Sequence, residues 1–560
     1  MVERDEPAGS ARGPFGAGAL AILFGLFFGV GLLVYGPALR GEFLSDDQHY
    51  VRENPYVHEL SARNLLEILN PQSPLLLVVE NYAPVHLLLH ALEWQAFGER
   101  VYGYHVVNVA LHALASLLLV VFFQRTGIPR VAAIAGGALF LLHAANVEAV
   151  AWISQLKSSA ALVLALAALL AQPRRPLLGT LCFALALFAK PSALFALPVA
   201  IVATWVDREA DRARWRWLGA WLVVFAAFAV VELFAFSQTA AQASPLYADP
   251  WVRLRSSVAI GLRYLVMAAT SRGLSAFHEP PPAASWLDPW WLGGLAALAF
   301  IAGRAVYVLR ARRVEGVYWI WAAASWSAVS GLLPLPFPMA DRYLYAILPG
   351  LLGAVLLVGL DVLATIEAAA RRRGADPARV RRSAGLAAAA LCAALLAFFG
   401  WKSFERAHVW RSAQLVMADA ERNYPDGTAA KTRQAVRAAR SGDVETAVAL
   451  LRQAHARGYN RLDHLLQEPA YAPYLDDPRF RALLVQFADG MLEHLGRNDA
   501  PSQLELHVMA LAHEVRGDTG EAVRALERAL AVGGPIDAQI ERDLAALRRS
   551  QRLKERTAGR

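Results

Sequence analysis

Long apolar stretches recur along about the first four hundred residues, separated by short connections rich in arginine. Stretches of this length and hydrophobicity are typical of helices that cross a membrane. They cover residues 15–35, 104–123, 131–145, 157–172, 177–189, 192–206, 217–236, 286–309, 317–335, 343–363 and 384–400. The pattern predicts an all-α, polytopic membrane region with about eleven spans.

The segment 252–269 is apolar but contains three arginines, Arg253, Arg255 and Arg263. If it lies in the membrane interface, the other arginine-rich connections all fall on one side, at 125–130, 174–175, 208–216, 310–313 and 371–382. Such connections stay on the cytoplasmic side of a membrane. The N-terminus is therefore predicted to be cytoplasmic, with residues 237–285 and everything after Trp401 outside.

The outer connections contain most of the unusual polar residues. The first is a long outer loop, residues 37–103, which includes Trp, Tyr, His and Pro but no apolar stretch of spanning length. Loops of this length usually have a function. The same topology brings residues 143–155, Lys190 and residues 334–345 to the outer face.

After Trp401 the sequence changes to a soluble helical pattern rich in Ala, Arg, Glu and Leu, which predicts a membrane domain at 1–401 and a second domain at 402–560. Within the second domain, SGDVETAVALLRQA (441–454) is echoed by RGDTGEAVRALERA (516–529). A Gly-Asp turn that opens a helix with small Ala residues resembles the tetratricopeptide repeat. Helical arrays of this kind bind peptides or other proteins.

The composition agrees with a membrane protein: 56% of the 560 residues are hydrophobic, and the mean hydropathy is +0.34. The net charge is +8, and the arginines are concentrated in the connections between apolar stretches. The positive charge therefore indicates how the chain is oriented in the membrane, and not a nucleic-acid partner. Cys182 and Cys392 lie in apolar stretches, and their positions indicate neither a disulfide framework nor a metal site. The first apolar stretch is longer than a signal-peptide core, so we expect it to be an uncleaved span.

The outer loop contains two adjacent carboxylates, Asp46 and Asp47, in FLSDDQHYVREN (43–54), directly after the first predicted span. They could simply cap a helix or solvate the end of a span. In an aromatic-flanked turn at the bilayer surface, a carboxylate is also suited to accept a proton from a substrate. We interpret this loop as catalytic.

Several polar residues lie within or beside the predicted spans. His105, Asn108 and His112 recur at intervals of three and four, on one face of a helix. Interhelical hydrogen bonds explain such residues as well as a site does. His143 and Glu148 lie at an outer boundary before Lys157, and Glu148 could either pair with Lys157 or shape a site.

Two further cations need an anion. Lys190 lies between two apolar stretches, and Arg342 lies at the outer end of a span. Asp341 could neutralise Arg342 within the chain, but a lipid-linked phosphate is the other candidate, because the guanidinium group donates in a fixed fork that fits phosphate.

In combination these motifs resemble a known family. The Asp-Asp loop, YHVVNVALHAL (104–114), HAANVEAVAWI (143–153), AKPSAL (189–194), DRYLYAILPG (341–350) and the helical repeats occur in the order found in the transmembrane and tetratricopeptide-repeat O-mannosyltransferases and their bacterial relatives. These enzymes belong to the C-type (GT-C) superfamily of membrane glycosyltransferases.

The resemblance implies a GT-C-like fold in the bacterial inner membrane, with the repeats in the periplasm. It implies an inverting glycosyltransferase that takes a sugar, mannose in the named family, from a polyprenyl-phosphate donor to a hydroxyl of a protein or an envelope glycan. Asp46 or Asp47 would be the base, and Arg342, Lys157 and Lys190 would hold the donor phosphate. The expected lining of the substrate pocket is His49, Tyr82, His105, His143 and Glu148.

Three alternatives stay open at this point. The membrane region could anchor a non-catalytic repeat scaffold for envelope protein assembly, although an anchor needs fewer spans. A transporter is disfavoured because no inverted repeat is evident in the two halves. The acceptor could be a lipid or a surface glycan. No cluster has convincing metal-ligand spacing, and a divalent cation held by the carboxylates is left open.

Overall fold

The computed structural model describes residues 15–73, 75–79, 81–239, 249–332, 337–374, 376–498, 501–533 and 536–558. Within these residues the protein is helical and contains no β-strand, which confirms the predicted all-α class. The predicted segments 237–285, 317–335 and 334–345 and the repeat region each include residues outside the described ranges.

The first helix is followed by a compact helical cap made from the outer loop. In chain order these helices are α1 (Ala17–Val34), α2 (Pro55–His58), α3 (Ala62–Leu69), α4 (Leu75–Val79) and α5 (Pro84–Phe97). Between α1 and α2 lie a 3-10 turn, Ala38–Arg40, and a short π-helix, Gln48–Arg52. Tyr50, Val57 and Leu87 are buried together, so the outer loop has its own apolar core.

The next helices form the centre of the membrane region: α6 (Val101–Arg125), α7 (Arg130–Leu142), α8 (Val147–Ala151), α9 (Leu156–Ala171), α10 (Pro176–Ala189), α11 (Ala196–Val206) and α12 (Arg212–Thr239). Short 3-10 turns connect some of them, at Ala144–Asn146, Ile153–Gln155 and Pro191–Phe195. The chain bends by 51° between α7 and the segment Ala144–Ala151. His143 lies at this bend, which turns Glu148 into the protein interior.

The membrane region ends with α13 (Pro250–Thr270), α14 (Pro289–Arg310), α15 (Glu315–Ser327), α16 (Asp341–Arg372) and α17 (Pro377–Val409). Helices α15 and α16 pack closely because α16 presents glycines to α15. A Cβ on Gly350 would lie 2.6 Å from the backbone nitrogen of Ala322 and 2.8 Å from the carbonyl oxygen of Tyr318. This contact fixes the position of α16 and of the residues at its N-terminus.

Seven helices within the described ranges are long and apolar enough to cross a membrane, and the bent pair at His143 would make an eighth. Two shorter apolar helices, Pro176–Ala189 and Pro191–Val206, accompany them. The protein is therefore a multi-pass membrane protein, whereas the number of about eleven spans stays a prediction. The ambiguous segment is helix α13, which is not among the seven.

The C-terminal part consists of α18 (Ala413–Asn423), α19 (Thr428–Arg440), α20 (Val444–His455), α21 (Leu462–Gln467), α22 (Pro478–Leu495), α23 (Gln503–Arg516), α24 (Thr519–Val532) and α25 (Asp537–Ala558), with a 3-10 turn at Ala472–Tyr474. Both predicted Gly-Asp turns open a helix. Gly442 and Gly517 each have φ of +86°, which only glycine adopts easily. The assignment to the tetratricopeptide family stays a prediction. The predicted boundary at residue 401 lies inside α17, which continues without a break to Val409.

Candidate functional site

The two adjacent aspartates have different surroundings. Asp47 is 1% exposed, and its carboxylate accepts hydrogen bonds from the backbone nitrogens of Leu44 and Ser154, both at 2.8 Å. It also accepts a hydrogen bond from the Ser154 hydroxyl. Burial raises the pKa of Asp47 to about 7, although the hydrogen bonds from Ser154 and Leu44 lower it. Asp47 thus fastens the outer loop to the segment after α8.

Asp46 is half-buried and accepts a hydrogen bond of 3.1 Å from the hydroxyl of Ser45. Ser45 has φ of +47°, a left-handed conformation that is uncommon for a residue other than glycine. Such strain collects at functional sites. The charge of Asp46 attracts both Lys157 and Arg342. Of the two aspartates, Asp46 is therefore the more exposed one.

Lys157 and Lys190 lie close enough to Arg342 for the three cations to repel one another. The Lys157 ammonium group donates to the hydroxyl of Tyr50 at 3.3 Å and lies 4.6 Å from the centre of its ring. Lys190 donates to the hydroxyl of Ser158 at 2.7 Å. Within the described ranges, neither lysine forms an ion pair with a carboxylate. Mutually repelling cations held this way are suited to bind an anion.

Arg342 is paired with Glu148. Its backbone nitrogen donates to one carboxylate oxygen at 2.7 Å, and its guanidinium group donates to the other. The guanidinium carbon lies 5.5 Å from the Trp152 ring centre and 5.2 Å from that of Phe337. The side chain of Arg342 remains 13% exposed, whereas that of Glu148 is fully buried. Arg342 therefore keeps a donor surface beside a fixed counter-ion.

Two predicted pairings differ from those in the structure. Asp341 does not neutralise Arg342, because its carboxylate bonds to His278 and Arg406 on the other side. Glu148 does not pair with Lys157, because it bonds to Arg342. The bend at His143 and the close packing of α16 bring Glu148 and Arg342 together across 194 positions of sequence.

The histidines and Asn108 of the predicted motifs are mostly used in helix packing. His112 contacts the Tyr345 hydroxyl at 3.0 Å and the Leu141 carbonyl at 3.1 Å. The Asn108 amide donates to the Trp152 carbonyl at 3.1 Å. These contacts favour the explanation by interhelical hydrogen bonds.

The remaining predicted pocket residues have separate partners or surroundings. His49 is exposed on the short π-helix, and the Tyr82 hydroxyl donates to the carbonyl of Leu69 at 2.7 Å. His105 is buried in α6, and His143 contacts the carbonyl of Ala268 at 2.9 Å. None of these contacts involves Asp46, and the role of these residues in a substrate pocket stays a prediction.

Sequence reasoning missed Tyr50, Ser154 and Ser158, which hold the two lysines and Asp47. Tyr50 lies one helical turn beyond Asp46. That spacing could have indicated from the sequence that the two residues lie close together. It also missed a buried row in α5, where His86 and His90 lie with ring centres 4.4 Å apart. In the part of the chain that the structure describes, no three His, Cys, Asp or Glu side chains are arranged to hold a metal ion.

A cavity of about 520 Å³ opens next to the outer loop. Ser45, Gln48 and Arg52 line it from the loop, Glu99 from the turn before α6, and Ala413 from the start of α18. Ser45 is also the residue that bonds to Asp46. The cavity therefore lies between the outer loop and the first helix of the C-terminal part.

No protein-family profile matches the chain. The sequence is similar to the protein O-mannosyl-transferase TMTC1 of Mus musculus, with 29% identity over 178 residues, which is 27% of this chain and 17% of that protein. It is 35% identical over 125 residues to the protein O-mannosyl-transferase Tmtc1 of Drosophila melanogaster, covering 21% of this chain and 14% of that protein. The chain thus spans less than a fifth of the length of these curated relatives.

Among solved structures, the crystal structure of ArnT from Cupriavidus metallidurans bound to undecaprenyl phosphate aligns with 76% of this chain and 80% of its own. The sequence identity is 15% and the TM-score is 0.33. The sequence similarity agrees with the family resemblance noted from the motifs.

Proposed function

We propose that this protein is a membrane glycosyltransferase that transfers a sugar, with mannose as the first candidate, from a polyprenyl-phosphate donor to an acceptor hydroxyl. We place the reaction on the periplasmic face of the bacterial inner membrane. The observation that supports it most directly is the position of Asp46, half-buried and attracted by Lys157 and Arg342. The similarity to protein O-mannosyl-transferases supports the reaction class.

In the proposed reaction the acceptor hydroxyl loses its proton to the carboxylate of Asp46. The hydroxyl oxygen forms a bond to the anomeric carbon as the bond from that carbon to the phosphate oxygen breaks. The electron pair of the broken bond leaves with the polyprenyl phosphate, which gains one negative charge. A single displacement of this kind inverts the anomeric configuration.

Arg342, Lys157 and Lys190 are the proposed partners of the departing phosphate. Charge that develops during bond cleavage is stabilised by fixed cations in a site with little water. Glu148 neutralises part of the positive charge and orients Arg342, so that the guanidinium group is held in place before the donor arrives.

The acceptor is proposed to approach through the cavity beside Ser45. Ser45 of the outer loop and Ala413 of α18 both line this cavity, and Ser45 is hydrogen-bonded to Asp46. We therefore propose that an acceptor held by the C-terminal helices approaches Asp46 from this side. A protein segment or an envelope glycan fits this approach equally well.

The test is release of polyprenyl phosphate from a panel of radiolabelled polyprenyl-phosphate sugars, using purified full-length protein and membranes that supply acceptors. We expect turnover of one donor in the wild type and loss of turnover in Asp46→Asn. Glu53→Gln changes an exposed carboxylate of the same loop, directly after the short π-helix Gln48–Arg52; it is the matched control and keeps full activity. Absence of turnover with every donor would favour the scaffold alternative.

A further inference from the structure

A buried ionic network lies where the membrane region meets the C-terminal helices. We call His278, Asp341, Arg406 and Asp419 the junction network. The carboxylate of Asp341 lies 2.7 Å from the ring nitrogen of His278 and 3.2 Å from the guanidinium group of Arg406. Arg406 also donates to Asp419 at 2.6 Å. None of the four side chains is more than 9% exposed.

The junction network connects three separate parts of the chain. His278 belongs to the connection after α13, Asp341 begins α16, and Arg406 and Asp419 lie in α17 and α18. The backbone nitrogen of Ala276 donates to Asp419 at 2.9 Å, which adds the connection to the same carboxylate. Buried charges must be paired to persist, so each of these parts depends on the others for its position.

A second contact strengthens the same junction. The carboxylate of Glu279 accepts hydrogen bonds from the backbone nitrogen of Thr428, at 2.5 Å, and from its hydroxyl. Thr428 is the first residue of α19. The first two helices of the C-terminal part are therefore both bonded to the connection that holds Asp341.

The junction network lies one residue from the proposed phosphate site. Asp341 is held by the junction network, and the next residue, Arg342, is held through both its backbone and its side chain by Glu148. The peptide that joins Asp341 to Arg342 is thus fixed from two sides. A shift of α18 would move Asp341, and Arg342 would move with it.

We propose that Arg406 and Asp419 are positioning residues for Arg342, through which the first C-terminal helices complete the donor-phosphate site. The inference rests on the proposed role of Arg342 in binding phosphate. Arg406 does not contact the substrate and acts through Asp341. The site binds donor well only while α18 is docked, so the C-terminal part contributes to the transfer site as well as to acceptor capture.

The test measures binding of undecaprenyl phosphate to the purified full-length protein in nanodiscs. Arg406→Gln is expected to weaken binding about tenfold, and Arg406→Lys, which keeps one ionic contact, to recover part of the loss. The matched control is Arg381→Gln, which removes an arginine of the same helix that pairs with Glu367 at the opposite end. This control keeps wild-type affinity.

A double-mutant cycle separates positioning from general damage. If Arg406 acts through Arg342, Arg406→Gln has no further effect on affinity in an Arg342→Gln background. Equal losses in both backgrounds would overturn the proposal, as would unchanged affinity of the single variant. If Arg406→Gln does not fold, Asp419→Asn, which preserves side-chain shape, takes its place in the cycle.

Hydrogen exchange distinguishes failure of this inference from failure of the proposed function. If the wild type binds no polyprenyl phosphate, the proposed function fails, and the junction is judged by exchange of the backbone amides of 342–345. Faster exchange there in Arg406→Gln, but not in Arg381→Gln, supports the mechanical connection. Unchanged exchange overturns it.

Discussion

At the scale of single residues, the adjacent aspartates Asp46 and Asp47 have different surroundings because of one backbone turn. The left-handed conformation of Ser45 precedes Asp46, and the next side chain, Asp47, turns inward to the donors of Leu44 and Ser154. Asp47 accepts three hydrogen bonds from the protein, which leaves little room for a substrate hydroxyl to bond to its carboxylate. Asp46, with one hydrogen bond from an exposed serine, remains available.

Asn substitutions at the two positions should therefore have opposite effects. Asp46→Asn is expected to abolish sugar transfer with little change in stability, since its side chain makes a single exposed hydrogen bond. Asp47→Asn turns an amide toward backbone donors and should cost about 1–3 kcal/mol of stability. Donor turnover and thermal unfolding of each purified variant provide the measurement. Full turnover in Asp46→Asn would contradict this assignment.

The buried carboxyl of Asp47 also predicts a pH dependence of stability. Its pKa is about 7 in the folded protein against 3.8 ordinarily, so the folded state holds the proton more tightly. The stability from this group is full below about pH 4 and is lost as the pH rises toward 7. The Tm of the wild type minus that of Asp47→Asn should therefore fall between pH 4.5 and 7.5. A difference that grows over this range would show that the folded pKa is depressed instead.

At the scale of helices, the position of Arg342 depends on how α16 packs against α15. Gly350 and Gly353 allow the two helices to approach, since a Cβ on Gly353 would lie 2.2 Å from the ring of Tyr318. Together with the bend at His143, this packing places Glu148 beside the first turn of α16. Helix geometry far from the chemistry thus decides the position of the charged groups.

Two glycine substitutions in α16 test this dependence. Gly350→Ala should cost about 1–3 kcal/mol, because the new methyl group meets backbone atoms of α15 that cannot move aside. Gly359→Ala is the matched control, since nothing lies within 4 Å of a Cβ at that position. The Tm and the rate of donor turnover should both be lower in Gly350→Ala and unchanged in Gly359→Ala. Equal behaviour of the two variants would mean that the helix contact is loose.

The sequence predicts the helices and turns better than it predicts which side chains pair across the fold. The described parts of all the predicted apolar stretches are largely helical, and both Gly-Asp turns open helices, because these features depend on local periodicity and turn chemistry. The pairing of Arg342 with Glu148, in contrast, depends on tertiary packing across the membrane region. Asp341 was the natural candidate by proximity in sequence, yet successive side chains on a helix point in different directions.

At the scale of the whole molecule, the proposed topology puts the outer loop and the C-terminal helices on the same side of the membrane. The junction network agrees with this arrangement, since it joins α18 to the connection after α13 and to the first turn of α16. The turn between α16 and α17 would lie on the opposite, cytoplasmic side.

Cysteine labelling tests this topology, because the chain has just two cysteines, Cys182 and Cys392, both of which can be replaced. In that background, Ser285→Cys and Ser441→Cys introduce thiols at exposed positions proposed to face the periplasm. An impermeant maleimide should label both in intact spheroplasts. Arg373→Cys, in the opposite turn, should react after permeabilisation alone. Labelling of Arg373→Cys in intact spheroplasts would reverse the proposed orientation.

Helix α17 runs for 33 residues from Pro377 to Val409, which corresponds to about 50 Å of continuous helix. Because this helix is continuous, the chain has no hinge near residue 401. Helix α18 begins at Ala413, a few residues after α17 ends, so the membrane region and the C-terminal helices are joined by a continuous helix and a short connection. Under the proposed function, we therefore expect the enzyme to use a hydroxyl on an extended, flexible acceptor segment in preference to one recessed in a rigid domain.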